Sequence, residues 1–165
     1  MKASPCREAF YVAVQPRRHW MIIETATFLD LNALGRLERA CFGQDAWSFL
    51  DLIAVLTFPE VVRLKVVEGG VMIAFAAGDP RPAEGFSWIA TIGVAPDHQR
   101  QGIGRELLRA CEERLKTPRL RLSVRASNAA AIHLYETEGY SRVNVWNKYY
   151  RDGEAAIVME KVRAL

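Results

Sequence analysis

Val94-Ala95-Pro96-Asp97-His98-Gln99-Arg100-Gln101-Gly102-Ile103-Gly104-Arg105 is the stretch whose reading decides the fold. An apolar run, Trp88 to Val94, precedes it and reads as a strand. An amphipathic run follows, with Ile103, Leu107, Leu108, Cys111 and Leu115 on one face, and reads as a helix. A basic, glycine-bearing turn between strand and helix directs backbone N–H groups at one spot. The positive end of the helix dipole points at the same spot, so the turn is expected to hold an anion such as a phosphate. Side chains at Gly102 and Gly104 would obstruct the approach of that phosphate to the backbone. The bland alternative is a glycine turn that serves only helix entry.

Working outward, Thr27 with Asp30 forms an acidic capping box ahead of Leu31, Leu34, Leu37 and Cys41 at helical spacing, with Gly43 at the end. Ser48 caps a second helix that runs to about Leu56 and stops at Pro59. Val61–Glu68 and Val71–Ala77 flank Gly69-Gly70 as a hairpin. After the central helix, Leu120, Leu122 and Val124 alternate as a strand. Asn128 opens a helix that closes at Gly139. Tyr140–Tyr150 and Ala155–Lys161 read as a closing hairpin around Asp152-Gly153. With a strand at Met21–Thr25, the predicted order is βααβββαβαββ. Residues 1–20 show no period and read as an extension, or as the stretch before an alternative start; residues 21–165 read as one domain.

The chain has 165 residues, enough for one core, and half of them are hydrophobic. A net charge of +3 suits an anionic small ligand and falls short of a nucleic-acid footprint. No run reaches transmembrane length and no secretory signal is legible, so a cytoplasmic protein with reduced thiols is expected. Cys6, Cys41 and Cys111 lack metal-ligand spacing, and the latter two read as core thiols.

The phosphate turn is neither a Walker loop, which needs Lys-Ser/Thr after its last glycine, nor a dinucleotide fingerprint, which needs a glycine at the position of Leu107. Gln99-x-x-Gly102-x-Gly104 after Val94-x-Pro96 resembles motif A of the GNAT superfamily of acetyl-CoA-dependent N-acetyltransferases. Val124-Arg125-Ala126-Ser127-Asn128 through Tyr135, with Gly139-Tyr140, resembles its motif B. Asn147-Lys148-Tyr149-Tyr150 is similar to the tyrosine pair of its ribosomal-protein alanine and N-terminal acetyltransferase branches. The resemblance covers roughly residues 21–160 and is strongest from 88 onward. It implies an α/β fold with a central mixed, mostly antiparallel sheet flanked by about four helices.

The resemblance also implies roles. The amides of Arg100, Gln101, Gly102, Ile103, Gly104 and Arg105 would bind the CoA pyrophosphate, with Gln99 in the same turn. Ile92 and Val94 would offer main-chain groups to the acyl and pantetheine arm, with the Val94 N–H meeting developing oxygen charge. Asn128 would bond the cofactor arm, or simply cap its helix. Tyr135 would protonate the departing thiolate, or serve as core. Trp47, Ser123, Tyr149 and Tyr150 would line the acceptor site; two adjacent strand residues point to opposite faces, so one tyrosine at most is expected to face it squarely. The acceptor would be a peptide or protein N-terminus, such as that of a ribosomal protein. A small-molecule amine acetyltransferase and a catalytically reduced acyl-CoA sensor are the alternatives, and the protein is expected to be a monomer or weak dimer.

Where the bacterial branch carries a glutamate base on the strand before motif B, this chain has Ser123. Serine has no useful pKa for that work, though it can hold a water. Asp45 and Glu84 are the candidate replacements, against a plain reading as solvated loop charges. His98 and His133 read as facing solvent or flanking the cofactor.

Overall fold

A computed structural model describes residues 10–14 and 19–163, with side chains from Met21 onward. Eight strands form one sheet in the order β1-β2-β3-β4-β5-β6-β8-β7. They are β1 (Phe10–Val14), β2 (His19–Thr25), β3 (Val62–Glu68), β4 (Val71–Arg81), β5 (Phe86–Val94), β6 (Arg119–Arg125), β7 (Ser141–Trp146) and β8 (Ala156–Val162). Every pairing is antiparallel except β5 with β6. Four helices, α1 (Leu31–Phe42), α2 (Phe49–Thr57), α3 (Ile103–Arg114) and α4 (Ala129–Thr137), complete the fold.

The predicted order of elements holds from Thr27 onward. The strand expected to open at Met21 opens at His19, and the run Phe10–Val14 pairs with it, Phe10 opposite Ile23 and Val14 opposite His19. The run Phe10–Val14 is apolar throughout, so it shows no alternation, and a short continuous apolar run is compatible with a strand without announcing one.

The sheet separates two apolar layers. Leu107, Leu108 and Cys111 of α3 and Leu115 just after it pack with Ile132 of α4 against Ala74, Ala76, Leu120 and Leu122. Leu34 and Leu37 of α1 pack with Leu52, Val55 and Leu56 of α2 against Phe75 and Ala77 on the other face. Burying these side chains is the main force that holds the helices to the sheet.

A β-bulge in β5 decides which face each later residue meets. The register steps from Gly78 opposite Ile89 to Ala77 opposite Thr91, leaving Ala90 as the extra residue. Ile89 belongs to the α3 layer, and so do Ile92 and Val94, three and five positions on. Strict alternation would have put Thr91 and Gly93 there instead. The bulge turns these two toward α1, where a Cβ at Gly93 would come within 3.3 Å of the Cys41 Sγ. Pairing of β5 with β6 covers only Phe86, Ser87 and Trp88, so the two strands part immediately before the bulge.

Candidate active site

The gap left by β6 exposes backbone. The Ala95 N–H donates to the Ile73 carbonyl at 2.8 Å, which makes Val94 and Ala74 a pair without mutual hydrogen bonds. The amides and carbonyls of Val94 and, two residues back, of Ile92 therefore point into the gap. The Val94 carbonyl accepts from the Gln99 side chain at 3.1 Å, which ties the turn to the strand end. The Val94 N–H is left facing the gap.

The turn is built as an anion cradle. Gly102 caps α3 with φ +86°, and Arg100 also has a positive φ, 59°. These left-handed residues turn successive amides toward one side. Among the described residues the amides from Arg100 to Gly104 have no acceptor, and the next two, of Arg105 and Glu106, bond the Gly102 carbonyl at 3.1 Å. A Cβ at Gly104 would meet only ordinary contacts, 3.6 Å from Val94 and 3.9 Å from Leu134. Packing does not demand glycine there; space above the amides does. Arg100 has no carboxylate partner among the described residues, whereas Arg105 is held by Glu138 at 3.0 Å. These features fit a diphosphate.

Tyr135, on α4, packs edge-on to Tyr140 at 5.9 Å between ring centroids, and burial pushes its phenol up to about 12. It therefore carries its proton at neutral pH. The Asn128 side chain accepts from the Ala131 N–H at 3.1 Å, so it caps α4 while facing the same cavity.

On the other side of β5 the wall is assembled from distant segments. The Ser48–Asp51 capping box sets the start of α2 and with it the turn that carries Asp45 and Trp47. Arg125, at the end of β6, reaches Asp45 by two hydrogen bonds, Asp152 at 2.9 Å, and Glu154, and lies 4.1 Å over the Tyr150 ring. One guanidinium thus joins the α1–α2 turn to the β7–β8 connection. The carboxyls at 152 and 154 are both held below their usual range, Asp152 first by the Glu154 N–H and Glu154 first by Ser127, with Arg125 adding to each.

Tyr149 and Tyr150 correct one expectation. β7 stops at Trp146, and Lys148, at φ 52°, bends the chain so that both tyrosine amides bond the Glu154 carbonyl, at 3.0 and 3.1 Å. Strand alternation no longer applies, and both rings line the cavity.

A single cavity of about 830 Å³ runs through from the cradle to this wall. It brings together Asp45, Trp47, Ile92, Val94, Gln99, Arg100, Gly102, Ile103, Gly104, Arg105, Ser123, Asn128, Tyr135, Tyr149 and Tyr150. His98 and His133 flank it as expected, and Cys41, expected in the core, lines it with its thiol pushed up to about 11, mainly by burial. Cys111 is buried. Gln101 lies outside, bonded to the Asp97 carbonyl at 3.3 Å. Glu84 is not part of the site. It sits before β5 beside Arg81, at 3.7 Å, and the six strand steps from Phe86 to Ile92 put it roughly 20 Å from the latter. A loop charge close in sequence to the central strand lay at its wrong end.

Two residues escaped the sequence reading. Arg125 was within a quoted motif, but its partners lie far off in sequence. Glu38 was signalled: it occupies an inward position of α1 between Leu34 and Cys41, where an apolar residue belongs. It is 3 % exposed, its carboxylate accepts from the Trp47 N–H at 3.3 Å and the Thr91 hydroxyl at 3.4 Å, and burial raises its pKa.

Taken together, a splayed strand with free amides, a diphosphate cradle and a neutral phenol beside an acceptor groove define an acyl-CoA-dependent transferase. Residues 31–140 match the Acetyltransferase (GNAT) family. The chain belongs to that family, and its cofactor is acetyl-CoA. It is 32 % identical over 145 residues to the N-alpha-acetyltransferase RimI of Mycobacterium tuberculosis, covering 84 % of this chain and 90 % of that one. It is 40 % identical over 104 residues to the ribosomal protein bS18-alanine N-acetyltransferase of Escherichia coli K12, covering 59 % and 69 %. The crystal structure of the ribosomal-protein-S18-alanine N-acetyltransferase from Escherichia coli superposes with a TM-score of 0.76 at 33 % identity, covering 87 % and 94 %.

Proposed function

We propose that this protein acetylates the α-amino group of a protein N-terminus, with a ribosomal protein as the candidate substrate, and that it works in the cytoplasm as a monomer or weak dimer. The observation that carries this reading is the pair of tyrosines, Tyr149 and Tyr150, which face the groove opposite the splayed strand. The similarity of the whole chain to N-alpha-acetyltransferases supports the choice of acceptor.

Acetyl-CoA supplies the activated acetyl group as a thioester. The amides of Arg100 to Gly104, with Arg100 itself, hold the pyrophosphate. The Ile92 and Val94 amides in the gap align the arm and stabilise oxygen charge as it develops. Tyr135, proton-bearing at neutral pH, gives its proton to the leaving sulfur. Arg125 fixes the groove, and Asp45, paired to it, serves that clamp rather than proton transfer. No cysteine nucleophile is involved, since burial disfavours the Cys41 thiolate.

An α-amine has an ordinary pKa near 8, so about a tenth is neutral at pH 7; for lysine the neutral share is below about 0.1 %. The site therefore favours α-amines. Acetyl-CoA turnover with peptides bearing free N-termini, Nα-blocked peptides with an internal lysine, polyamines and amino sugars tests this. The expected result is acetylation of free α-amines alone. Faster turnover of a polyamine or amino sugar would assign the alternative acceptor, and CoA binding without any turnover would assign a sensor.

A further inference from the structure

Glu38 is a carboxylate in the cavity wall with no cation on it among the described residues. Its two partners, the Trp47 N–H and the Thr91 hydroxyl, are neutral donors at long range, 3.3 and 3.4 Å. A buried carboxylate has room for about four hydrogen bonds and is costly to ionise without a positive partner. Glu38 and Thr91 both line the cavity, so the carboxylate borders the space in which its remaining hydrogen bonds would be made. Ser123 shares the cavity and can hold a water.

We propose that Glu38 is the proton acceptor for the incoming amine, taking through a bridging water the proton that the substrate's ammonium must lose. This assignment rests on the α-amine reading above. In the step, one N–H bond of the ammonium breaks and Glu38 becomes a carboxylic acid. The freed lone pair forms the C–N bond to the thioester carbon, and the C–S bond breaks with its electrons on sulfur. Sulfur takes the Tyr135 proton, and the nitrogen's second proton returns to that phenolate through water. Glu38 then releases its proton to solvent.

The cavity that Glu38 borders is lined by further titratable and charged groups, among them His98, Arg100, Arg105, His133 and Arg151 on the cofactor side and at the rim. Cys41 is on the same helix as Glu38, Asp45 with Arg125 on the turn, Tyr149 and Tyr150 on the β7–β8 connection, and Tyr135 on α4. Its measured ionisation is expected above the ordinary carboxylate range, because burial outweighs its two hydrogen bonds.

Glu38→Gln keeps one acceptor oxygen, for the Trp47 N–H, and sets an amide N–H against the Thr91 hydroxyl, which can accept it, while removing the capacity to take a proton. Its kcat/KM is expected to fall about 10-fold at pH 7, where about a tenth of the α-amine is neutral, and by less than about 2-fold at pH 9.5, where nearly all of it is. A loss that stays constant with pH, or no loss, overturns the proposal and leaves Glu38 a mere support for the turn. Glu38→Asp, which keeps the charge, should retain the wild-type pH profile at reduced rate. Independently of turnover, the protonated-carboxyl infrared band that disappears in Glu38→Gln should titrate above the ordinary range; titration within that range overturns the proposal. Should the wild type prefer a small amine, the α-amine reading fails, and the pH dependence of the same ratio on that amine still decides Glu38.

Discussion

The two sides of β5 were put together in opposite ways. The cofactor side lies almost entirely within residues 92–105 and 128–135, a strand end, its turn and two helix starts. The acceptor side draws on Glu38, Asp45, Ser123, Arg125, Tyr149 and Tyr150, from four separate segments. Main-chain amides do the work on the first side, so local chain direction is enough to make it. Side chains do it on the second, and only the finished sheet brings them together. A site made of backbone is fixed by a few glycines, whereas a site made of side chains is open to change at each of them.

Perturbing each side alone is the way to separate them. Tyr135→Phe stands between the two and should have the largest effect. It is expected to lower kcat about 10²- to 10⁴-fold while CoA affinity, read by calorimetry, changes less than about twofold. Parallel losses in both would make Tyr135 a packing residue. Gly104→Ala comes next. The protein has space for the added Cβ, so the melting temperature should hold, and CoA affinity should fall roughly 10- to 100-fold as amide contacts to the diphosphate are lost. Unchanged affinity would place the cradle elsewhere.

Arg125→Met addresses the acceptor side. Loss of the clamp should raise the peptide KM roughly tenfold and leave CoA affinity unaltered. An equal loss of CoA affinity would show the two sides to be coupled. The smallest effect concerns stability. Glu38 is raised in the folded protein, so between its ordinary and raised pKa the folded state binds more protons than the unfolded state, and stability falls as pH rises. Glu38→Gln should melt with the wild type near pH 4 and above it at pH 8, by about 2–4 °C for each kcal/mol relieved. Equal melting at both values would mean that the carboxylate is not penalised by burial.

What the sequence made legible follows the same division. The cradle, the helix caps at Ser48 and Asn128, and the order of elements from Thr27 onward could be read because each depends on neighbours a few residues apart. The bulge at Ala90 could not, since it is defined by the register of β5 against β4. Neither could the Arg125 clamp, which spans 80 positions to Asp45. Glu38 was within reach: a carboxylate on the inward stripe of an amphipathic helix is a departure that calls for a reason. Glu84 misled because nearness in sequence to the central strand says nothing about which end of it faces the chemistry. The tyrosine pair shows the converse error, where an assumed strand forced a choice that the left-handed residue at 148 removes.

The central claim is that the coenzyme enters from the α3 side, with its diphosphate on the turn and its thioester in the gap beside β5. A crystal structure with acetyl-CoA tests this most directly. The expected density places the pyrophosphate against the Arg100–Gly104 amides and the thioester oxygen within hydrogen-bonding distance of the Val94 N–H. Density for the coenzyme anywhere else, with that turn bare, would contradict it.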